Sequence, residues 1–531
     1  MPQEGTSREQ ARSKAEETPA ADKQTPEDKE AKEQQRSGDR EEADKPFVPS
    51  FHSLRMYFRH CEDVIVDSHL FGNPPTQAVI AYCSGMCETK MINDVILPEL
   101  RRIHDVTQYL NKEAIEKEST LLWSYMDLSD SDFGADLISL RLFEGHLLFC
   151  VPKLKKLWSI DIAKLPTRSP EESTTEVSIR GARDGFIEPL ATNIALIRSR
   201  IRTADLACEF EVIGTRSSTK VALLYMQDIA NPDTIDLVRD KLQTLKTERI
   251  TTANQLEELI TPSHFTLFPI THYTGRPDFA AECLLRGRFV IIVDGNPSVI
   301  IGPVNLFLLL KSPEDANFPY LAVNVGRILR LFGLAISIFL PGFYLALTSF
   351  HMDQLPYPLV ATISVGRAGL PMESAVEMFL IMSLMELFRE AGVRLPSAIG
   401  QTLTVVGGLI IGESAIRAGI VSPLMIVVAA LTIVAGATVV NQVMTSSIIL
   451  IRFVSFIFSA TMGIYGFILS LILFVVYLTG LESFGVPYLA PVSPLNFRQA
   501  LAALFKLPRG MNGKRPTILG TRHPKREGQN T

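Results

Sequence analysis

Four apolar stretches, each long enough to cross a bilayer, fall in the last two-fifths of this 531-residue chain, at about residues 328–350, 397–417, 423–440 and 451–478. A run of roughly 20 apolar residues satisfies its backbone in lipid only as a helix. The sequence therefore predicts a polytopic all-α transmembrane domain over 326–492. The first three-fifths has no such stretch and must fold in water. The expected fold class is an α/β soluble N-terminal region of two subdomains followed by that membrane domain. Any function has to couple something met in water to something done in or across a membrane.

The whole-chain figures, 21% charged residues and a net charge of −5, average over unlike regions. Residues 1–46 hold 22 charged side chains and almost nothing apolar larger than alanine. Such a segment cannot bury enough surface to offset its ordering entropy, so a disordered tail is expected. It has no apolar core of a cleaved secretory signal. The six cysteines, at 61, 83, 87, 150, 208 and 283, all lie in the front half. Cys83 and Cys87 have C-x3-C spacing but no second ligand pair follows, so free core thiols are expected and no metal or other cofactor.

From residue 47 the pattern is globular. Residues 78–83 and 147–151 read as buried strands and 90–103 as a helix. A Pro/Ser/Thr-rich linker over 164–175 separates subdomain 47–165 from subdomain 175–325. In the second, helices are expected over 188–202, 234–245 and 277–285, with strands at 206–213 and 221–225. Residues 289–310 are apolar enough to pass for a span, but Asp294-Gly295-Asn296-Pro297 at their centre is turn chemistry. Two strands and a hairpin turn are expected there.

In the membrane half, Pro341 is expected to kink the first span. The tail over 493–531 carries eight Lys/Arg after Asn496 against one acid, Glu527, and is expected on the cytoplasmic side. Four spans put both termini there, with the turn after Arg417 on the same side. Arg452, opening the fourth span, is expected to snorkel. Segment 372–394 is apolar but holds Glu373, Glu377, Glu386, Arg389 and Glu390, too many charges for a lipid-facing helix. It is expected to be re-entrant or interfacial, either lining water as a cation path or pairing its charges locally, as Glu386 with Arg389. Glu413 sits four residues before Arg417, so an i,i+4 pair stands against a functional intramembrane carboxylate.

Several runs then resemble the A subunits of the GerA family of spore germinant receptors. They include Ile179-Arg180-Gly181-Ala182-Arg183-Asp184-Gly185-Phe186, Arg198-Ser199-Arg200-Ile201-Arg202, Arg276-Pro277-Asp278, Ile291-Ile292-Val293-Asp294-Gly295, Arg389-Glu390-Ala391-Gly392, Ile399-Gly400-Gln401, Val406-Gly407-Gly408 and Ser483-Phe484-Gly485-Val486-Pro487-Tyr488. Their order and spacing extend over some 400 residues. The chain departs from the family pattern at Gly275, at Ser199 and at Val440-Asn441-Gln442, where the family often has proline. The resemblance implies a multi-pass subunit in the spore inner membrane, beside a transporter-like B subunit and a lipoprotein C subunit. It also implies a homo-oligomeric ring, suspected to be a pentamer, that forms a nutrient-gated ion channel initiating germination.

Pore or gating candidates are Glu373, Glu377, Glu386 and Glu413. Candidates for a domain junction or a subunit interface are Arg180, Arg183 and Asp184, expected between the subdomains, and Arg198, Arg200 and Arg202 on one helix, where a solvated or subunit-facing stripe is the plainer reading. Permeant cations and membrane lipid are the expected partners. The alternatives are a non-conducting scaffold or signalling subunit, and a secondary transporter. Against the transporter, no inverted repeat or pair of broken helices is apparent. An enzyme is not expected, because no phosphate loop, metal cluster or nucleophile motif is present, and the one basic cluster suits anionic lipid rather than nucleic acid.

Overall fold

The structure is a computed structural model that describes residues 50–71, 75–107, 134–154, 156–164, 180–261, 266–394, 412–506 and 515–523, with scattered positions between 110 and 126. The acidic tail, the linker and most of the expected 397–417 span lie outside the described residues.

The α/β region is two three-layer units with the same strand arrangement. In the first, β1 (Val64–Phe71), β2 (Thr76–Cys83), β3 (Ser124–Met126), β4 (His146–Val151) and β5 (Lys156–Asp161) form an antiparallel sheet in the order β1-β2-β4-β5-β3. In the second, β6 (Leu206–Ile213), β7 (Thr219–Met226), β8 (His272–Thr274), β9 (Phe289–Val293) and β10 (Val299–Gly302) follow the equivalent order, β6-β7-β9-β10-β8. Both faces of each sheet are apolar and covered, which is why the central strands read as near-continuous hydrophobic runs. The hairpin expected at Asp294-Gly295 joins β9 to β10, with Val299 opposite Ile292 and Gly295 at φ 81°. The Asp294 side chain also accepts a 3.0 Å hydrogen bond from Leu190 N, at the start of the helix α1 (Leu190–Arg198). This helix is shorter than the expected 188–202. Helix α2 (Pro277–Leu284) starts with proline at its first position.

The C-terminal region is helical: α3 (Tyr320–Phe350), α4 (Tyr357–Arg367), α5 (Ser374–Arg394), α6 (Pro423–Ala437), α7 (Gln442–Thr479) and α8 (Phe497–Leu504). Tyr320–Phe350 and Val443–Thr479 are long and apolar enough to cross a membrane, and Pro423–Ala437 is a shorter apolar helix. Helix α3 continues through Pro341.

Two expectations give way here. First, the fourth span is no single rod. Gly463 has φ 61° and ψ −138°, and Ser455 Oγ lies 2.9 Å from Ser470 Oγ. Fifteen residues of straight helix would hold those atoms about 22 Å apart, so α7 folds back on itself at Gly463. The apolar sequence on both sides concealed the reversal, which turns on one residue. Segment 372–394, expected to be re-entrant or interfacial, packs against protein: Met378, Ile381 and Met382 are buried against Leu345 and Met425, and Glu386 meets its counter-charges there. Second, the turn after Arg417 lies at the end of the bundle remote from the α/β region. Val421 and Met425 pack with Leu345, late in α3, whereas Ala435 and Thr438 approach Gly333, nearer its start. Helix α5 runs back along α3, from Met378 beside Leu345 to Glu386 near Ser337, a return that the four-span placement left out.

A side chain at Gly463 would occupy a left-handed conformation and bring its Cβ to 2.9 Å from the Phe350 ring. Gly463→Val is expected to cost at least about 2 kcal/mol from the backbone alone. Thermal unfolding of the detergent-solubilised chain checks this: a midpoint equal to that of the parent would contradict the fold-back.

Candidate functional site

Buried polar groups join the two subdomains to each other and the second subdomain to the bundle, and Arg198, Arg202 and Arg180 of the sequence candidates fall at these junctions. Between the subdomains, Arg198 ends α1, where a cation suits the helix dipole. Its Nε and Nη2 each donate to the Asp63 carboxylate at 2.7 Å, its Nη1 donates to Thr203 O at 3.1 Å, and its guanidinium lies 4.3 Å from the Phe143 ring centre. Arg198 and Asp63 are 0% and 2% exposed. Arg202 reaches Glu144 of the first subdomain at 2.9 Å, and Glu62 accepts from Phe210 N at 2.7 Å. Cys208 pairs by its backbone with residues 60–62. The three arginines are therefore no uniform stripe. Arg198 and Arg202 clasp the first subdomain, while Arg200 pairs with Asp184 inside the second.

Arg180, Arg183 and Asp184 do not fill the place expected for them between the subdomains. The Arg180 backbone N donates to Glu314 at 3.2 Å and its guanidinium covers the Phe318 ring, just before α3, while Arg183 is exposed. Of the three, Arg180 reaches the segment leading into α3, while Asp184 stays within the second subdomain. All six cysteines are buried free thiols; Cys87 Sγ contacts Gly145 O and burial pushes its thiol up to about 12.

The second junction lies where the second subdomain meets the bundle. Arg276, 2% exposed, donates through Nε and Nη2 to Asp278 at 3.0 and 2.6 Å and through Nη1 to Glu314 at 2.5 Å. Asp315 takes Arg327 at 3.0 Å and Arg330 at 2.7 Å, both from the first turns of α3. Lys506 donates to the carbonyls of Asp315, Ala316 and Phe318, tying the chain after α8 to the same corner. Part of the basic tail expected at lipid docks on protein, with Arg522 N donating to Ile229 O at 3.0 Å.

His272 of β8 meets Asn441, Nδ1 to Nδ2 at 2.8 Å, and Asn441 Oδ1 caps α7 by accepting from Met444 N. The residue that departs from the family's proline thus both starts the folded helix and holds it to the sheet. Sequence reasoning missed Arg276, Asp315, His272 and Asn441, because each looks like ordinary helix-start or strand sequence until its partner, distant in the chain, is known.

Within the bundle, Glu386 lies between Arg389 at 2.7 Å and Arg452 at 2.9 Å, so the expected local pair is present with a second cation added. Arg452, 4% exposed, also donates to Ser337 O and Oγ at 2.7 and 2.8 Å. It does not snorkel, because an interior acid is nearer than water. Glu377 is 0% exposed; its Oε1 accepts from Ser422 N at 2.5 Å and its Oε2 has no hydrogen-bond partner among the described residues. Glu373, one turn earlier, is exposed. Glu413 forms the exposed i,i+4 pair with Arg417 at 2.5 Å.

Two consequences are measurable. Asp63→Asn leaves Arg198 buried without its charge partner and is expected to destabilise the chain by about 3–5 kcal/mol; an unchanged unfolding midpoint would refute the clasp. Burial, with the Arg288 charge nearby, lowers His272 from its ordinary value of 6.5 to about 4. The folded state therefore resists taking a proton that the unfolded chain accepts. Stability is retained above about pH 6.5 and falls towards pH 4 by roughly 1.4 kcal/mol per unit. His272→Asn is expected to flatten that part of the stability–pH curve.

The chain matches the family described as Bacillus/Clostridium GerA spore germination protein over residues 52–518. It is 43% identical to spore germination protein XA of Bacillus anthracis over 88% of this chain and 95% of that one, and 34% identical to spore germination protein KA of Bacillus subtilis (strain 168) over 88% and 85%. Among solved structures it is similar to the N-terminal domain of the A subunit of the Bacillus megaterium spore germinant receptor GerK3, at 26% identity and TM-score 0.35 over 47% of this chain and 91% of that one. This chain, with two α/β subdomains clasped to each other and the second held to an apolar helical bundle, belongs to the GerA family of spore germination proteins.

Proposed function

We propose that this chain is the A subunit of a nutrient germinant receptor in the spore inner membrane, assembling as a ring whose bundles form a nutrient-gated cation channel. A transporter-like B subunit and a lipoprotein C subunit are its partners in this reading, and nutrient capture by them is passed to the α/β region. Both termini lie on the spore-core side. The observation that carries the proposal is Glu377, a carboxylate enclosed in an apolar bundle with one oxygen unpartnered among the described residues. An intramembrane carboxylate is costly to keep and tends to mark an ion path.

Glu386 is held by two arginines and serves as a strut, and Glu413 is satisfied by Arg417. That leaves Glu377, with the exposed Glu373 one turn away on α5, as the path carboxylates. In the closed arrangement Glu377 is latched to the backbone of Ser422. A shift of α5 against α6 breaks that contact and presents the carboxylate to water. The motion would start from the second subdomain, which grips α3 through Asp315 and α7 through Asn441.

The enclosure of Glu377 also favours a second reading, a non-conducting scaffold in which this carboxylate only locks α5 to α6. Nutrient-triggered K⁺ and Na⁺ flux through liposomes carrying the chain with its partner subunits separates the two. Glu377→Gln is expected to lower flux about tenfold and to weaken cation selectivity. Unchanged flux and selectivity would remove Glu377 from the path, and no flux from the unaltered assembly would leave the scaffold.

A further inference from the structure

Three separate parts of the chain meet at one cavity. Arg59 and His60 line it from the first subdomain, Tyr225, Gln227 and Arg239 from the second, and Arg522 from the C-terminal segment. Its volume is about 290 Å³, far more than a single water needs. Neither sheet requires the C-terminal segment to reach this place, so contacts of its own must hold it there.

Those contacts are specific. Arg515 Nε donates to Leu285 O, at the end of α2, at 3.3 Å, and its Nη1 donates to His523 O at 3.0 Å, which closes residues 515–523 into a loop. Within it a single 3-10 turn, Thr517–Leu519, buries Leu519. Gly520 follows in the left-handed region at φ 58° and ψ 33°, and a Cβ there would lie 2.9 Å from Asn231 Nδ2. Thr521 sits against Gly287, where a Cβ would come within 2.6 Å of the threonine methyl group. Arg522 N then donates to Ile229 O at 3.0 Å and its Nη1 to Gln227 O at 3.3 Å. One missing side chain on the segment and one on the subdomain let the two surfaces close on each other.

Charge favours the same seat. Asp228 has an oxygen, Oδ1, that is buried with no hydrogen-bond partner among the described residues. Burial first, then the nearby Asp205, raise its carboxyl above the ordinary range, and Arg515 and His523 oppose that rise. Residues 515–523 contain no acid. The segment also touches the bundle, because Gln499 Nε2 of α8 donates to Thr517 Oγ1. The end of α8 is in turn fixed to α3 by Lys506 N, which donates to Asn324 Oδ1 at 2.6 Å.

We propose that residues 515–523 form a strap that restricts entry to the cavity between the two subdomains, and that lifting the strap from Gly287 and Asn231 opens it. Seated, the strap places Arg522 in the cavity wall. Lifted, it takes that wall away. The contact with Gln499 gives a displacement of α8 a direct route to the strap, so the state of the bundle bears on access to the cavity. The device stands independently of whether the bundle conducts.

Thiol labelling of the full chain in detergent tests the strap. Gln227→Cys puts a reporter in the cavity and keeps the backbone carbonyl that Arg522 uses. The six native thiols are buried and report on unfolding. In the Gln227→Cys background, Gly520→Val forces a β-branched residue into the left-handed region and strains the strap alone, while Arg515→Ala combined with Arg522→Ala removes its side-chain contacts. Each is expected to speed reaction of the reporter with a sulfonated methanethiosulfonate about tenfold, with the native thiols still unreactive. Amide hydrogen exchange over residues 519–522 should quicken in parallel. Faster exchange there with unchanged labelling of the reporter overturns the strap, as does labelling that rises equally at the native thiols. Unchanged exchange in both variants overturns the seat at Gly287 and Asn231.

Discussion

One apolar core runs without a break from the second sheet into the helical bundle, and the rest of the architecture depends on it. Phe268, Phe279, Ile292, Ile301 and Leu309 share it with Leu334, Ile338, Met444, Ile448 and Ile451. Joined by a flexible linker, a water-facing domain and a membrane domain move independently. Packed at interior density, they transmit displacement, because close-packed side chains have little room to absorb it. The polar groups at the rim of this core, Arg276 with Glu314 and Asp315 with Arg327 and Arg330, fix the angle at which α3 departs. Their desolvation makes wrong pairings costly.

The same logic governs charge inside the bundle. Arg452 and Glu386 are separated by 66 residues but 2.9 Å in space, and each is tolerable only because the other is there. Taken singly, Arg452 reads as a residue stretching towards the membrane surface and Glu386 as a charge that a lipid-facing helix cannot carry. Both readings rest on an isolated charge in lipid. The pair removes that premise and holds both charges inside the bundle.

Local signals carried much of the fold. The Asp294-Gly295 hairpin, the proline-led start of α2 and the central strands β2, β4, β7 and β9 were all readable, because turn chemistry and unbroken β-branched runs are properties of a few adjacent residues. The i,i+4 pair of Glu413 with Arg417 was readable for the same reason. Long-range features were not. Nothing around Asp63 announces that it will seal Arg198, and the equivalence of the two sheets lies in strand order rather than in repeated sequence. Gly463 is one glycine among many in an apolar run, and only the approach of Ser470 to Ser455 reveals what it does. Of the site candidates, Glu377 stands out in the sequence as an acid in an apolar segment, but its enclosure against Ser422 required the third dimension.

Because α7 doubles back, both of its feet stand on the second subdomain: Asn441 is held by His272 at one, and Tyr477 accepts from Leu267 N at 2.7 Å at the other. The apex at Gly463 is then the tip of an A-frame roughly 30 Å tall at about 1.5 Å per residue. A rocking of that footing by ~4° would carry the tip sideways by ~2 Å, and Phe350 at the end of α3 with it. Leverage of this kind needs no bending within the bundle: a small rigid rotation of the second subdomain arrives at the far end enlarged by the height of the frame.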